Sequence, residues 1–154
     1  MEVDMKIEES IKQTKKFDNE YHKLIVNIKY RNGILSNKMQ DLFKSHDITL
    51  QQYNILRILK GQLPKSVSIN TIRDRMIDKN SDVSRLLNRL SVKDLIDKKT
   101  SATDRRHSEV TINENGLQLL NILDEKRQDV EKELIGSLSQ EEAKILNDLL
   151  NKID

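Results

Sequence analysis

Residues 80–110 read NSDVSRLLNRLSVKDLIDKKTSATDRRHSEV, and within this stretch the pattern changes from helical to extended. Cap-forming residues open it. At about 100° per residue, three later apolar side chains then fall within about 60° of Val83. The pattern predicts a short amphipathic helix whose buried stripe is formed by Val83, Leu86, Leu87 and Leu90.

The opposite face of this helix is polar and cationic. We expect it to present Ser81, Ser84, Arg85, Asn88 and Arg89. Arginine can grip guanine with two hydrogen bonds, asparagine can do the same for adenine, and serine accepts either base, so these residue types suit reading of a DNA major groove. Helical pattern alone fits any amphipathic surface helix equally well.

A second short helix, predicted over residues 68–77, precedes this one, and the link Asp78-Lys79-Asn80 is tight. Together the two helices predict a helix-turn-helix pair, in which the first helix crosses the DNA backbone. Solvated surface charges are the alternative interpretation of its arginines. The candidate phosphate contacts are Arg73, Arg75 and Lys79.

A polar hairpin follows the amphipathic helix. Residues 97–101 and 108–112 form its predicted arms, with Val110 and Ile112 pointing inward. Arg105 and Arg106 lie at the tip, where paired arginines suit a narrow, strongly negative minor groove. The alternative is a charged tip that keeps a sheet edge soluble.

The composition fits one domain of 154 residues with 36% hydrophobic, 3% aromatic and 34% charged residues. Residues 79–106 carry eight Lys/Arg against four acids, whereas residues 113–154 carry ten acids against five bases. This asymmetry favours a face that meets a polyanion, although two ordinary solvated surfaces would look the same. No apolar run approaches the length of a membrane span, so we expect a soluble, cytoplasmic chain without membrane contact.

The same residues argue against an enzyme. There is no cysteine, which excludes disulfides and thiolate metal sites. The four glycines form no phosphate-binding loop. His22, His46 and His107 are far apart and lack metal-ligand spacing. We expect no catalytic site, no metal and no cofactor.

The rest of the chain predicts helices. A long first helix is expected over residues 8–30, a break at Asn32-Gly33, and a second helix that ends near residue 45. Capping boxes at Thr49 and Ser139 start two more, and Asn113 caps a long helix that reaches about residue 135. The predicted fold class is mostly α with a small β-hairpin wing, which is a winged helix-turn-helix domain with additional N- and C-terminal helices.

The segment SRLLNRLSVKDLIDKKTSATDRRHSEVTINENGLQLL resembles the signature region of the MarR family of bacterial transcription regulators. Asp104-Arg105-Arg106 matches the family's wing motif, and Glu114-Asn115-Gly116 matches its Glu-x-Gly helix opening. The order of elements agrees over nearly the whole chain. Two departures are Asp94, where the family usually has Gly, and residues 71–77, which lack the family's common Leu-Ala pair. Asp tolerates positive φ, so we expect Asp94 to keep the fold at a small cost.

This resemblance implies a single MarR-type domain over residues 1–154, with residues 1–33 and 113–154 as dimerisation helices and residues 34–112 as the DNA-binding lobe. Arg106 would probe the minor groove, and Asp104 would orient the wing through Arg89. We expect a homodimer that binds double-stranded DNA at a near-palindromic operator and acts as a repressor, although the residues themselves do not distinguish repression from activation. A protein-interaction adaptor or anti-repressor without a DNA site, and a non-specific architectural DNA binder, are the alternatives.

The resemblance also implies a small-molecule effector bound between the dimer helices and the winged lobe. The aromatic residues that could line such a cleft are more simply explained as core. They are Tyr21, Tyr30, Phe43 and Tyr53.

Overall fold

The computed structural model describes residues 6–100 and 108–153. In chain order these residues form α1 (Ile7–Ser10), α2 (Glu20–Lys44), α3 (Leu50–Lys60), β1 (Val67–Ser68), α4 (Ile69–Arg75), α5 (Val83–Val92), β2 (Ile96–Thr100), β3 (Ser108–Ile112), α6 (Glu114–Ile135) and α7 (Gln140–Leu150). The fold is mostly helical with a small antiparallel sheet, which confirms the predicted fold class. The chain divides into two compact units, Met1–Lys38 and Met39–Asp154.

The N-terminal unit differs from the predicted single helix over residues 8–30. Helix α1 ends after Ser10 because Lys12 adopts a positive φ of 52°. The Gln13 amide then donates to the Glu8 carbonyl at 2.8 Å, and the Lys12 amide donates to the Glu9 carbonyl at 3.2 Å. These two bonds form a Schellman motif, which usually has Gly at the position that Lys12 occupies. The sequence therefore carried no signal for this helix end.

The predicted break at Asn32-Gly33 is also wrong, because α2 runs through both residues for a total of 25 residues. A glycine inside a helix costs only about 1 kcal/mol relative to alanine. Interrupting a helix forfeits several backbone hydrogen bonds, so one glycine does not stop α2. The helix ends at Lys44, close to the predicted position.

The second unit contains the hydrophobic core. Helices α3, α4, α5 and α6 and the sheet all contribute to it, and its fully buried members include Phe43, Leu56, Leu87, Val110 and Leu120. The predicted caps are confirmed. Thr49 and Ser139 form complete capping boxes, and Asn113 accepts a hydrogen bond from the Gly116 amide at 3.0 Å.

The sheet of the second unit has the order β1-β3-β2, and both pairings are antiparallel. Strands β2 and β3 match the predicted arms, and Val110 and Ile112 are buried as predicted. The sequence does not predict strand β1, in which Val67 pairs with Val110. A strand of two residues is too short to show the alternation from which strands are recognised.

Candidate nucleic-acid interface

Helix α4 is held against the core at both ends. The Ser68 hydroxyl caps it by accepting a hydrogen bond from the Thr71 amide at 3.1 Å. After its last turn, Met76 is buried, and the Ile77 amide donates to Asn54 Oδ1 of α3 at 3.0 Å. The short connection to α5 is therefore fixed on one side, which gives the predicted helix-turn-helix pair a defined geometry.

Helix α5 begins one residue after the N-cap Asp82, whose carboxylate accepts from the Arg85 amide at 3.0 Å. Ser81 consequently precedes the helix, and the prediction that it belongs to the outward face of the helix is wrong. Its hydroxyl oxygen is buried without a hydrogen-bond partner among the described residues. Asn80, Ser81 and Asp82 are all cap-forming residue types, so the sequence alone does not distinguish which of them precedes the first helical residue.

The two faces of α5 match the prediction. Val83, Leu87 and Leu90 are buried, and Leu86 is half-buried. The residues that remain exposed on the other side are Ser84, Arg85, Asn88 and Arg89, together with Val92 at 88%. The helix therefore presents hydrogen-bonding side chains while its apolar face is packed against the core, which is the arrangement required to read bases in a DNA groove.

The basic residues around the turn are exposed as well. Arg73 donates to Asn70 Oδ1 at 3.0 Å, and the Lys79 ammonium donates to the Asp74 carbonyl oxygen at 2.6 Å. Arg75 is exposed at the end of α4. All three side chains lie on the surface, so these cations could exchange protein partners for phosphate oxygens at little cost.

The wing is described in its strands but not at its tip. Strands β2 and β3 extend from Ile96 to Thr100 and from Ser108 to Ile112. The tip residues Asp104, Arg105 and Arg106 lie outside the described residues, and so does the expected contact between Asp104 and Arg89.

A contact that the sequence did not predict joins the wing to α5. The Lys98 ammonium of β2 donates to Asn88 Oδ1 at 2.5 Å. Lys98 lies opposite Val110 in the sheet, so its side chain starts on the face that carries this buried residue. Burial of the side chain lowers the pKa of Lys98. Periodicity could not reveal this contact, since it depends on the distance between a strand and a helix.

Asp94 shows why the family's usual Gly is dispensable at the end of α5. Its φ is 54°, as predicted, and the Leu95 and Asp94 amides donate to the Leu90 and Ser91 carbonyls at 3.1 and 3.0 Å in a Schellman motif. The Asp94 carboxylate accepts from Asn115 Nδ2 at 2.7 Å, and its carbonyl accepts from the Asn113 side chain at 3.1 Å. Asp94 therefore connects the end of α5 to the start of α6.

A family model described as "MarR family" matches residues 46–107, which contain the helix-turn-helix and most of the wing. The chain is also 26% identical over 122 residues to the HTH-type transcriptional regulator MhqR of Bacillus subtilis (strain 168), covering 77% of this chain and 81% of that protein.

Over its helix-turn-helix and most of its wing, the chain is therefore similar to the MarR family.

Solved structures agree with this similarity. A MarR transcription factor from Planctomyces limnophilus is 26% identical, with a TM-score of 0.70, over 88% of this chain and 98% of its own. A mutant MarR from E. coli, complexed with operator DNA, is 21% identical with a TM-score of 0.75 over 90% of this chain and 99% of its own. The chain thus has the winged-helix fold of these transcription regulators.

The four aromatic residues expected to line an effector cleft belong to two different units of the structure. Phe43 and Tyr53 are buried in the second unit and stack on each other with their ring centroids 4.4 Å apart. Tyr21 is 81% exposed and Tyr30 is half-buried, and both belong to the first unit. Phe43 and Tyr53 are therefore surrounded as core residues are, which agrees with the simpler of the two interpretations.

Tyr53 also connects α3 to α6 through a polar cluster. Its hydroxyl donates to Asp124 Oδ1 at 2.7 Å, and Arg57 donates to both oxygens of that carboxylate at 3.1 Å. Burial first, and then the bond to Asp124, raise the pKa of Tyr53 to about 12. Partial burial alone would raise the pKa of Asp124, but the Tyr53 hydrogen bond and the Arg57 charge lower it below its usual value.

An open depression of about 440 Å³ lies beside α5 and the start of α3, and its lining includes Lys44, Arg89 and Lys93. Lys93 is paired with Asp47, whose carboxylate lies 2.6 Å from the ammonium. In the described part of the chain, no three His, Asp or Glu side chains converge as metal ligands. Nor is any helix within residues 6–100 and 108–153 long and apolar enough to cross a membrane.

Proposed function

We propose that this chain is a homodimeric repressor of the MarR family that binds a near-palindromic operator with α5 in the major groove and the wing in the adjacent minor groove. The observation that carries the proposal is the packing of α5. Its apolar stripe is buried in the core, and its outward face carries exposed polar side chains, namely Ser84, Arg85, Asn88 and Arg89. Arginine and asparagine are the side chains that read guanine and adenine edges with paired hydrogen bonds. As a regulator of this kind the chain would act in the cytoplasm.

The proposed backbone contacts rest on exposed cations near the turn, and the proposed wing contacts rest on the sequence. Arg73, Arg75 and Lys79 surround the turn between α4 and α5, where a helix-turn-helix meets the phosphate chain. Arg105 and Arg106 would enter the minor groove from the wing tip, with Asp104 orienting the tip. Phosphate contacts hold the register without selecting sequence, and α5 would supply most of the base selection.

Exposed apolar side chains support the homodimer. Helix α7 has a capped, amphipathic sequence, yet no residue of it is buried in the isolated chain. Apolar residues of α2 are exposed in the same way. The exposed set is Tyr21, Leu24, Ile25, Ile28, Leu35, Ile145, Leu146, Leu149 and Leu150. Monomeric proteins rarely expose apolar patches of this kind, so we propose that residues 1–33 and 113–154 pair with those of a second copy.

The experiment combines mass measurement with selection of bound DNA. The full chain should elute in size-exclusion chromatography with light scattering at twice its 18.0 kDa mass, and selection from a randomised duplex library should enrich two inverted half-sites about one helical turn apart. Leu149→Glu should reduce the mass to that of a monomer and weaken operator binding. Lys144→Glu is the matched control, because Lys144 is an exposed polar residue whose bond to Asp148 stays within α7.

A monomer with no enriched sequence would overturn the proposal. Stable binding to another protein with no DNA retention at low salt would favour the adaptor instead. DNA retention without sequence preference would favour an architectural binder.

For an effector, we propose the depression lined by Lys44, Arg89 and Lys93 rather than the aromatic residues, because Phe43 and Tyr53 already fill the core. The lining combines these three cations with one carboxylate, Asp47, and this net positive charge suits a small anionic molecule. Arg89 also belongs to α5. A panel of small carboxylates titrated onto the protein–DNA complex should contain a compound that releases DNA from the wild type, and Lys44→Ala should resist that compound. Release that is equal in both proteins would place the effector elsewhere.

A further inference from the structure

The bond between Lys98 and Asn88 changes what Asn88 presents to DNA. To read adenine, an asparagine amide accepts from the base amino group through Oδ1 and donates to N7 through Nδ2. Here Lys98 Nζ lies 2.5 Å from Asn88 Oδ1. An ammonium has three donors and no acceptor, so the amide oxygen must be the atom that faces it.

This orientation leaves the Asn88 amino group as the part of the amide that is directed away from Lys98. The carbonyl oxygen is already engaged by a full positive charge, which disfavours the approach of a second donor such as the adenine amino group. The neighbourhood of Asn88 therefore offers donors: the Asn88 amino group, the Lys98 ammonium and, one turn earlier on α5, the guanidinium of Arg85.

Guanine is the base whose major-groove edge matches donors alone, because both N7 and O6 are acceptors. We propose that Lys98 is a specificity-determining residue that makes Asn88 select guanine instead of adenine. This inference rests on the proposed function, since it requires α5 to lie in the major groove. The proposed guanine preference differs from the adenine preference expected of an isolated asparagine. The cause of the change is Lys98, a residue of the wing and not of α5.

The position of Lys98 in the sheet supports its proposed role in base selection. It is half-buried opposite Val110 in the middle of the β2–β3 pairing, so its aliphatic stem lies along the protein and its ammonium emerges beside α5. Its neighbour Lys99 is exposed and pairs with Glu109 in the register, on the other face of the sheet. Lys99 is therefore a matched control, because its replacement removes the same charge from the same strand without touching Asn88.

The test compares base preferences of full-length wild type, Lys98→Met, Lys99→Met and Asn88→Ala, each selected from the same randomised duplex library. Asn88→Ala identifies the position that Asn88 reads, because preference is lost there. At that position wild type and Lys99→Met should prefer guanine, and Lys98→Met should shift toward adenine by about 5- to 100-fold in the adenine-to-guanine ratio.

An adenine preference in the wild type at the Asn88 position, or an unchanged base ratio in Lys98→Met, would overturn the inference. Thermal unfolding of each variant shows whether the fold is retained, and a misfolded Lys98→Met is replaced by Lys98→Gln with the same expectation. Failure of the proposed function has a different signature, because the wild type itself would then enrich no sequence.

Discussion

Gly116 occupies a place where no side chain fits, and replacing it with alanine should destabilise the protein. A β-carbon built there would lie 2.2 Å from the Leu95 carbonyl oxygen and 2.7 Å from Ile112 Cγ1. The first neighbour is backbone between α5 and β2, so relief of the clash requires the start of α6 to move away from the helix–wing junction. This close approach explains the Gly of the Glu114-Asn115-Gly116 motif.

The magnitude follows from two opposing effects. Overpacking of a tight site costs about 1–3 kcal/mol, and we expect about 3 kcal/mol because backbone must shift. Alanine recovers up to about 1 kcal/mol of helix propensity. The net loss is about 2 kcal/mol in the free energy of unfolding, which corresponds to a decrease of roughly 4–8 °C in Tm for a chain of this size.

Gly61→Ala is the matched control, since Gly61 follows α3 with an ordinary helical φ of −68° and an added β-carbon there would lie no closer than 3.5 Å to its neighbours. The same substitution there should raise Tm by roughly 1–4 °C, because alanine reduces the conformational entropy of the unfolded chain without creating a clash. Thermal unfolding followed by far-ultraviolet circular dichroism at one fixed protein concentration measures both effects. A Gly116→Ala protein as stable as the wild type would refute the close approach of α6 to Leu95.

Three further predictions concern stability and DNA contacts. Because the pKa of Tyr53 is raised to about 12, the neutral hydroxyl contributes fully to the free energy of unfolding below about pH 10, and this contribution is lost as pH rises through 12. Chemical unfolding at several pH values should therefore show the wild type losing about 3 kcal/mol relative to Tyr53→Phe. Parallel pH profiles for the two proteins would disprove this. Asp94→Gly should be more stable than Asp94→Ala by about 1 kcal/mol, since only glycine tolerates the positive φ freely; equal denaturant midpoints would contradict the left-handed conformation. Arg106→Ala should weaken DNA binding most at A·T-rich flanks, whereas Arg85→Ala should change the base preference within each half-site by about 1–3 kcal/mol. A loss of affinity that is uniform across sequences would make either arginine a phosphate contact only.

The parts of the fold that follow from short-range rules were predictable. The apolar stripe of α5, the capping boxes at Thr49 and Ser139, and the cap at Asn113 depend on residues within one or two turns of each other. The positive φ of Asp94 was also predicted, because the resemblance placed a glycine there and aspartate tolerates the same conformation.

The features that were missed depend on the competition between distant parts of the chain or on weak local signals. Lys12 ends α1 in a conformation that lysine rarely adopts, and Gly33 stays helical because the surrounding helix outweighs one unfavourable residue. The Lys98–Asn88 bond joins residues of different elements, and its partners become neighbours only when β2 lies beside α5. The position of Ser81 before α5 could not be predicted, because Asn80, Ser81 and Asp82 are all residue types that can cap a helix.

The measurement that tests the central claim most directly is a salt series of DNA titrations with the purified full chain. One labelled duplex carries the sequence upstream of its own gene, and a second carries the same bases in shuffled order. Three phosphate-contacting cations in each of two chains predict a slope of about −5 in log affinity against log salt concentration. We expect the upstream duplex to bind at least about 10³-fold more tightly than the shuffled one at physiological salt. Equal affinities for the two duplexes would contradict a sequence-specific regulator.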